Sequence, residues 1–247
     1  MKVISCLGRK GGSGKTMIAH LLAHGLSKGY GVITNVVMTD VRENKPTDIN
    51  PGREYMISAI SNKNPAADTA ELDKIFTQTA RLPDSILIID GGANRANLDG
   101  VFAKMSDMVM IPMGFGQEDI NVAESDFWNL AKIMQDAKHT GDICIIRNRW
   151  PGTERKKEAL LQKKWIQLFM QKAERMQMLF PDFVPDMPSL LDMANTDDPR
   201  TTPLIDAVAA RFAEVVALKI GHDLPPKRKL TQYPVPAERR TREEAAA

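Results

Sequence analysis

A glycine-rich segment near the start of the chain carries the residue types that bind phosphate. It reads Gly8-Arg-Lys-Gly-Gly-Ser-Gly-Lys15-Thr16 and lies between an apolar run and a helical pattern. Glycines let the main chain approach an anion closely, and N–H groups at a helix N-terminus bind it. Lys15 would neutralise the β and γ phosphates, and the Thr16 hydroxyl would ligate Mg²⁺. An ordinary glycine-rich turn is the plainer alternative. We call residues 8–16 the phosphate loop, and the residues in it predicted to bind phosphate or Mg²⁺ are Gly11, Gly12, Ser13, Gly14, Lys15 and Thr16.

Carboxylates end two further apolar runs. The β-branched run 32–39 ends at Asp40, and the run 85–89 stops at Asp90, which two glycines follow. Ligands of parallel sheets bind at the carboxyl ends of the strands, so both side chains are candidates for the same site. Each carboxylate has a plainer interpretation as the cap of the turn that follows it.

The elements that would position these residues alternate between strand and helix patterns. Short apolar runs indicate buried strands, and apolar residues at helical spacing indicate helices. The predicted strands are residues 2–7, 32–39, 85–89, 108–113 and 143–146, with one short strand within 181–188. The predicted helices are residues 15–28, 56–82, 119–138, a long basic helix over 154–179, and 203–220. This alternation predicts an α/β fold with a doubly wound, mostly parallel sheet flanked by helices.

Length and composition agree with one such domain. The chain has 247 residues, of which 43% are hydrophobic, and a net charge of +2. That charge is too small for a general polyanion binder, so any nucleic-acid contact needs a local basic patch. Both cysteines lie in apolar runs, and no run reaches the roughly 18 apolar residues of a membrane span. We expect a cytoplasmic protein with one domain over 1–222 and a basic, Pro-containing, disordered tail over 223–247.

The phosphate loop resembles the deviant Walker A loop of the ParA/MinD family of P-loop ATPases, because Lys10 directly precedes Gly11-Gly12. Met1 to Thr16 looks like the start of small ParA proteins, and Asp40, Asp90 and Ile111-Pro112 follow in the family's order. The resemblance implies catalytic roles for Lys10, Lys15 and Asp40. Lys10 would reach across a dimer to the partner's nucleotide; the alternative is a solvated loop charge.

The same resemblance assigns the two strand-end carboxylates. Leu87-Ile-Ile-Asp90 matches the Walker B strand, which implies that Asp90 holds Mg²⁺ through a water. Asp40 stands at the second acid of the family's Asp-x-Asp, the carboxylate that lies near the attacking water. Met38 replaces the first acid, so an ATP-binding adaptor that hardly hydrolyses ATP is a further alternative.

A basic stretch follows the strand at 143–146. Arg147-Asn148-Arg149 resembles a segment of MipZ, a ParA relative, and implies that Asn148 contacts the adenine edge, for which an amide offers a donor and an acceptor. A turn-forming Asn is the alternative. Cations here suit DNA phosphates, although most basic stretches are solvated faces. The candidate DNA-binding residues are Arg147, Arg149, Arg155, Lys156, Lys157, Lys163 and Lys164.

The resemblance implies a weak ATPase that dimerises with ATP and Mg²⁺ and binds DNA without sequence preference. A ParB-like adaptor would stimulate hydrolysis, and the dimer would position plasmid or chromosomal DNA on the nucleoid. One alternative is a MinD- or MipZ-like spatial regulator. Membrane cycling by such a protein is not expected, because Pro225, Pro226, Pro234 and Pro236 interrupt any C-terminal amphipathic helix. The other alternative is a P-loop metabolic enzyme, for which the sequence offers no separate substrate motif.

Overall fold

A computed structural model describes residues 1–39, 53–60, 65–92, 96–193 and 200–228. Within these ranges, seven strands form one sheet with the order β3-β2-β4-β1-β5-β6-β7. The strands are β1 Lys2–Cys6, β2 Thr34–Met38, β3 Met56–Ala59, β4 Ile86–Asp90, β5 Met108–Met113, β6 Asp142–Trp150 and β7 Leu179–Pro185.

Every pairing between these strands is parallel. The residues of β4 and β5 are all buried, because helices cover both faces of the sheet and a continuous apolar run is then favoured over alternation. The registers place Cys6 of β1 and Met38 of β2 opposite Asp90 of β4. The carboxyl ends of these three central strands therefore meet at one edge.

Helices form a layer on each face of the sheet. They are α1 Lys15–His24, α2 Pro65–Ala80, α3 Ala96–Met105, α4 Gln117–Asp136, α5 Glu154–Leu161, α6 Lys164–Arg175, α7 Ser189–Met193 and α8 Pro203–Lys219. One apolar core includes residues of α1, α7 and α8, and the other includes residues of α2, α3, α4 and α6. This three-layer arrangement confirms the predicted fold class.

A buried ion cluster joins α1 to α8. Asp206 accepts a hydrogen bond from His24 Nε2 at 2.7 Å and pairs with Lys28 Nζ at 3.0 Å. Lys28 belongs to a π-helical turn, Gly25–Gly29, that continues α1. A Cβ at Gly25 would lie 2.1 Å from the carbonyl oxygen of Ala209, so only glycine allows this approach. The cluster fixes the helix that begins in the phosphate loop against the last helix of the domain.

Two sequence predictions about elements are wrong. Residues 56–82 do not form one helix, because Met56–Ala59 is the edge strand β3. The long basic helix over 154–179 is interrupted at Gln162 and Lys163 and becomes α5 and α6. The backbone of Lys163 is extended, with φ of −72° and ψ of 122°, so the helical hydrogen bonding stops there and α6 begins at Lys164.

The end of the described chain lies against the domain. Arg228 N–H donates to the carbonyl oxygen of Gly29 at 2.8 Å, and the Arg228 guanidinium pairs with Glu54 at 3.1 Å. Residues 229–247, most of the predicted tail, lie outside the described ranges. In the part of the chain that the structure describes, no helix has the length and apolarity needed to cross a membrane.

Candidate functional site

The phosphate loop connects β1 to α1 at the carboxyl edge of the sheet. Its backbone has positive φ angles of 73° at Gly12 and 102° at Gly14. A Cβ at Gly14 would come within 2.2 Å of Asn148 Nδ2, whereas no atom of the described residues contacts the Cβ position at Gly12 within 4 Å. The loop is thus tight against β6 on one side and open at Gly12 on the other, as the predicted anion cradle requires.

Lys15 lies inside this loop. Its side chain is buried, and its Nζ donates to the carbonyl oxygen of Lys10 at 3.0 Å. Burial lowers the pKa of Lys15, while the carboxylates of Asp90 and Asp99 favour the charged form. The ammonium is thus held under the glycine-rich loop, and its contact with a bound phosphate stays a prediction.

The end of β4 is tied to the end of β2 through Thr39. The Thr39 hydroxyl donates to the carbonyl oxygen of Asp90 at 2.8 Å and accepts from Gly92 N–H at 2.7 Å. Asp90 is itself buried, and Thr16 lies exposed in the first turn of α1. The sequence analysis did not predict a role for Thr39, because the pattern of a β-branched run does not distinguish this threonine from an ordinary strand residue. Asp40 lies outside the described residues.

Two carboxylates on α4 hold the first half of the loop. Buried Asp126 accepts from Arg9 N–H at 2.8 Å and pairs with Arg9 Nε. Asp119 pairs with Lys10 Nζ at 2.6 Å, and this hydrogen bond is the largest cause of the raised pKa of Lys10. Neither acid was predicted. Their spacing of seven residues on one helix face is the signal that would have indicated them.

A third carboxylate that the sequence did not indicate is Asp99 of α3, which is buried. Burial raises its pKa to about 6, partly offset by the nearby ammonium of Lys15. Asp99 Oδ1 and the Ser13 Oγ of the phosphate loop are buried without a hydrogen-bond partner among the described residues. Such atoms at a loop of this kind fit a polar ligand that supplies the missing partners.

Asn148 lies against the phosphate loop. Its Nδ2 donates to the Ser13 carbonyl oxygen at 2.6 Å, and the residue is buried. Its Oδ1 has no partner within the described part of the chain. The amide therefore supports the loop, and its contact with an adenine edge stays a prediction.

The structure divides the predicted DNA-binding residues. Arg147 is half-buried, with its guanidinium 5.1 Å from the Trp150 ring centre and 5.8 Å from that of Phe183. Lys157 pairs with Glu154 at 2.7 Å. Because it is packed among rings, Arg147 does not join the exposed cations. The exposed cations of the set are Arg149, Arg155, Lys156, Lys163 and Lys164.

The parallel sheet, the strand–loop–helix unit and the buried loop lysine together define a P-loop NTPase fold. Solved structures with this fold include MinD of Aquifex aeolicus, at 14% identity and a TM-score of 0.61 over 91% of this chain and 99% of that chain. A ParA family ATPase of Chlorobium tepidum has 12% identity and a TM-score of 0.60 over 86% and 98%. A cobyrinic acid a,c-diamide synthase of Mycobacterium smegmatis, with bound ADP and magnesium, has 15% identity and a TM-score of 0.58 over 91% and 98%.

The chain thus has the fold of the ParA/MinD ATPases, in agreement with the resemblance of its phosphate loop. The sequence itself matches no family model and no curated protein.

Proposed function

We propose that the protein is a weak ATPase that ATP switches into a dimer, which binds DNA without sequence preference and positions plasmid or chromosomal DNA. The observation that carries this proposal is the contrast between the two lysines of the phosphate loop. Lys15 is buried under the loop, whereas the Lys10 side chain is 30% exposed at its rim. A buried lysine serves the nucleotide of its own chain, and a lysine at the rim is available to a second molecule.

ATP and Mg²⁺ fit the residues at the sheet edge. The open side of Gly12, the Lys15 ammonium and the loop N–H groups suit the phosphates, and Thr16 offers a hydroxyl to the metal. No cluster of three or more His, Cys, Asp or Glu that could hold a metal occurs among the described residues. Mg²⁺ needs none, because it binds through phosphates, waters and one or two protein oxygens. We propose that Asp90 is the carboxylate that holds Mg²⁺ through a water molecule.

Hydrolysis requires a group that orients the attacking water, and we assign this role to Asp40. Thr39 is the last described residue before Asp40, and its hydrogen bond to the Asp90 carbonyl oxygen holds the end of β2 beside Asp90. With Met38 in place of a first acid, we propose slow turnover that a ParB-like adaptor accelerates.

DNA contact is assigned to the basic hairpin, by which we mean α5 and α6 with the turn between them. Arg155, Lys156, Lys163 and Lys164 are exposed there, and Lys163 Nζ lies 5.4 Å from the ring centre of exposed Trp165. Exposed cations bind phosphates regardless of base sequence. Pairing of two protomers doubles the number of cations that face one duplex, which makes DNA affinity depend on ATP.

A metabolic ligase or transferase is the second candidate, because the diamide synthase matches this chain with nearly the same TM-score as MinD. A MinD- or MipZ-like regulator of another cargo is a further alternative, which would also dimerise with ATP but would not need to bind DNA.

One experiment separates these candidates. The oligomeric state and the binding of a random-sequence duplex are measured by sedimentation with ATP, with ADP and without nucleotide. We expect a dimer and DNA binding with ATP alone, and a weaker dimer with weaker DNA binding in Lys10→Ala. A dimer that ignores DNA would favour the regulator, and a chain that stays in one oligomeric state under all conditions would favour the metabolic enzyme.

A further inference from the structure

The Lys10 ammonium contacts two acidic residues at the start of α4. Its Nζ lies 2.6 Å from Asp119 Oδ1 and 3.5 Å from Glu118 Oε1. The Asp119 carboxylate is fixed by the backbone, because its Oδ2 accepts from Gly116 N–H at 3.2 Å. A Cβ at Gly114 or Gly116 would come within 2.7 or 2.9 Å of the same oxygen. Two glycines thus make room for the carboxylate that positions Lys10.

The position of the Lys10 ammonium, at the start of α4, would be unfavourable for a cation if the carboxylates of Asp119 and Glu118 were absent. The N-terminus of a helix carries a partial positive charge that repels an ammonium. Asp119 offsets that repulsion, and its hydrogen bond accordingly raises the pKa of Lys10. Glu118 contributes less, because it is farther away and its side chain is 84% exposed.

The neighbouring Arg9 is held in a different way. Buried Asp126 accepts from the Arg9 main-chain N–H as well as from its side chain, so the backbone of the loop is anchored independently of Lys10. The Lys10 pair is joined only through side chains, which are 30% and 29% exposed. Exposed pairs of this kind are weak, so Lys10 exchanges partners at little cost.

We propose that Asp119 is a positioning residue that competes with the partner's nucleotide for Lys10. This inference rests on the proposed function, in which Lys10 acts across the dimer. Without a partner, Lys10 binds Asp119 of its own chain; when the dimer closes, the ammonium moves to the phosphates bound by the other protomer. Two such pairs open for each dimer, so Asp119 sets the ATP concentration and protein concentration at which the switch closes.

The test is Asp119→Asn, which removes the charge but keeps an oxygen for Gly116 N–H. The dimer dissociation constant is measured by sedimentation with a non-hydrolysable ATP analogue. Since an exposed ion pair contributes a factor of about 1.4 to 5, two pairs predict a dimer about two- to twenty-fivefold tighter. Glu118→Gln is the matched control, with the same charge change on the adjacent residue, and we expect a much smaller effect.

Lys10→Ala separates the failure of this inference from that of the proposed function. In that background Asp119→Asn should have no further effect on the dimer, and in the monomer NMR titration should show a lower Lys10 pKa in Asp119→Asn than in the wild type. A dimer that Lys10→Ala weakens but Asp119→Asn leaves unchanged would overturn the role of Asp119 alone. A wild-type chain that forms no ATP-dependent dimer would overturn the proposed function and this role with it.

Discussion

The phosphate loop and the basic hairpin are both rich in cations but hold them in opposite ways. In the loop, Lys15 donates to a main-chain carbonyl, Arg9 binds buried Asp126 and Lys10 binds Asp119. In the hairpin, cations such as Lys156 and Lys164 are exposed to solvent. Each loop charge therefore has its own defined contacts, whereas the proposed DNA binding by the hairpin depends on summed charge, which salt screens. Substitutions should give residue-specific effects in the first region and graded effects in the second.

Lys15→Ala should have the largest effect. Removing one partner of a buried charge pair costs about 3–5 kcal/mol, which lowers ATP affinity by roughly 100- to 5000-fold. Isothermal titration calorimetry measures this affinity, with Lys74→Ala on the exposed face of α2 as the control that should bind ATP normally. Similar affinities in the two variants would show that Lys15 does not contact the nucleotide.

Gly14→Ala should come next. Its φ of 102° is strained for any residue with a Cβ, at about 1–3 kcal/mol, and the added carbon would clash with Asn148 Nδ2. We expect lower thermal stability and at least about tenfold weaker ATP binding, for a distortion of about 1.4 kcal/mol or more.

Adding Asn148→Ala to Gly14→Ala removes the clash but not the backbone strain, so stability should recover in part. Full recovery would assign the effect to the clash alone. No recovery would show that Asn148 gives way readily and that the φ angle decides the outcome.

The sequence predicts those parts of this site that depend on local spacing. The phosphate loop and Asp90 follow from a glycine pattern and a strand-end acid, and the strands that carry them are nearly continuous apolar runs. Asp119, Asp126 and Asp99 were not predicted, because their partners are distant in sequence; the seven-residue spacing of Asp119 and Asp126 places both on one helix face but does not reveal what they contact. The strand β3 was not predicted for the same reason, because its four residues form a strand only by pairing with β2.

Thr39→Val should have a smaller effect than the loop variants. Valine has the same shape, but it leaves the buried Gly92 N–H without its acceptor, which costs about 1–3 kcal/mol of stability. Because that N–H follows Asp90, we expect slower ATP turnover, by up to about tenfold, with a smaller change in ATP affinity.

Thr39→Ser keeps the hydroxyl and serves as the matched control for Thr39→Val. Phosphate release and calorimetry on both variants test the assignment. Equal turnover in the valine and serine variants would mean that the hydroxyl bridge between β2 and β4 is only structural.

The smallest effect is expected in the basic hairpin, from Lys156→Gln. Its ammonium is exposed, and its loss removes one phosphate contact from each protomer, so DNA affinity should fall by about two- to tenfold. The slope of log K against log salt should become shallower by roughly 1.8 for the dimer, since each contact contributes about 0.9.

Lys157→Gln removes the same charge one residue away, but Lys157 already binds Glu154 at 2.7 Å, so its loss should change DNA affinity less. Fluorescence anisotropy with a random-sequence duplex and ATP, repeated over a range of salt concentrations, measures both quantities. If the hairpin acts through summed charge, each variant lowers the affinity for all DNA sequences by the same factor. A change in sequence preference in either variant would instead indicate directed contacts like those of the phosphate loop.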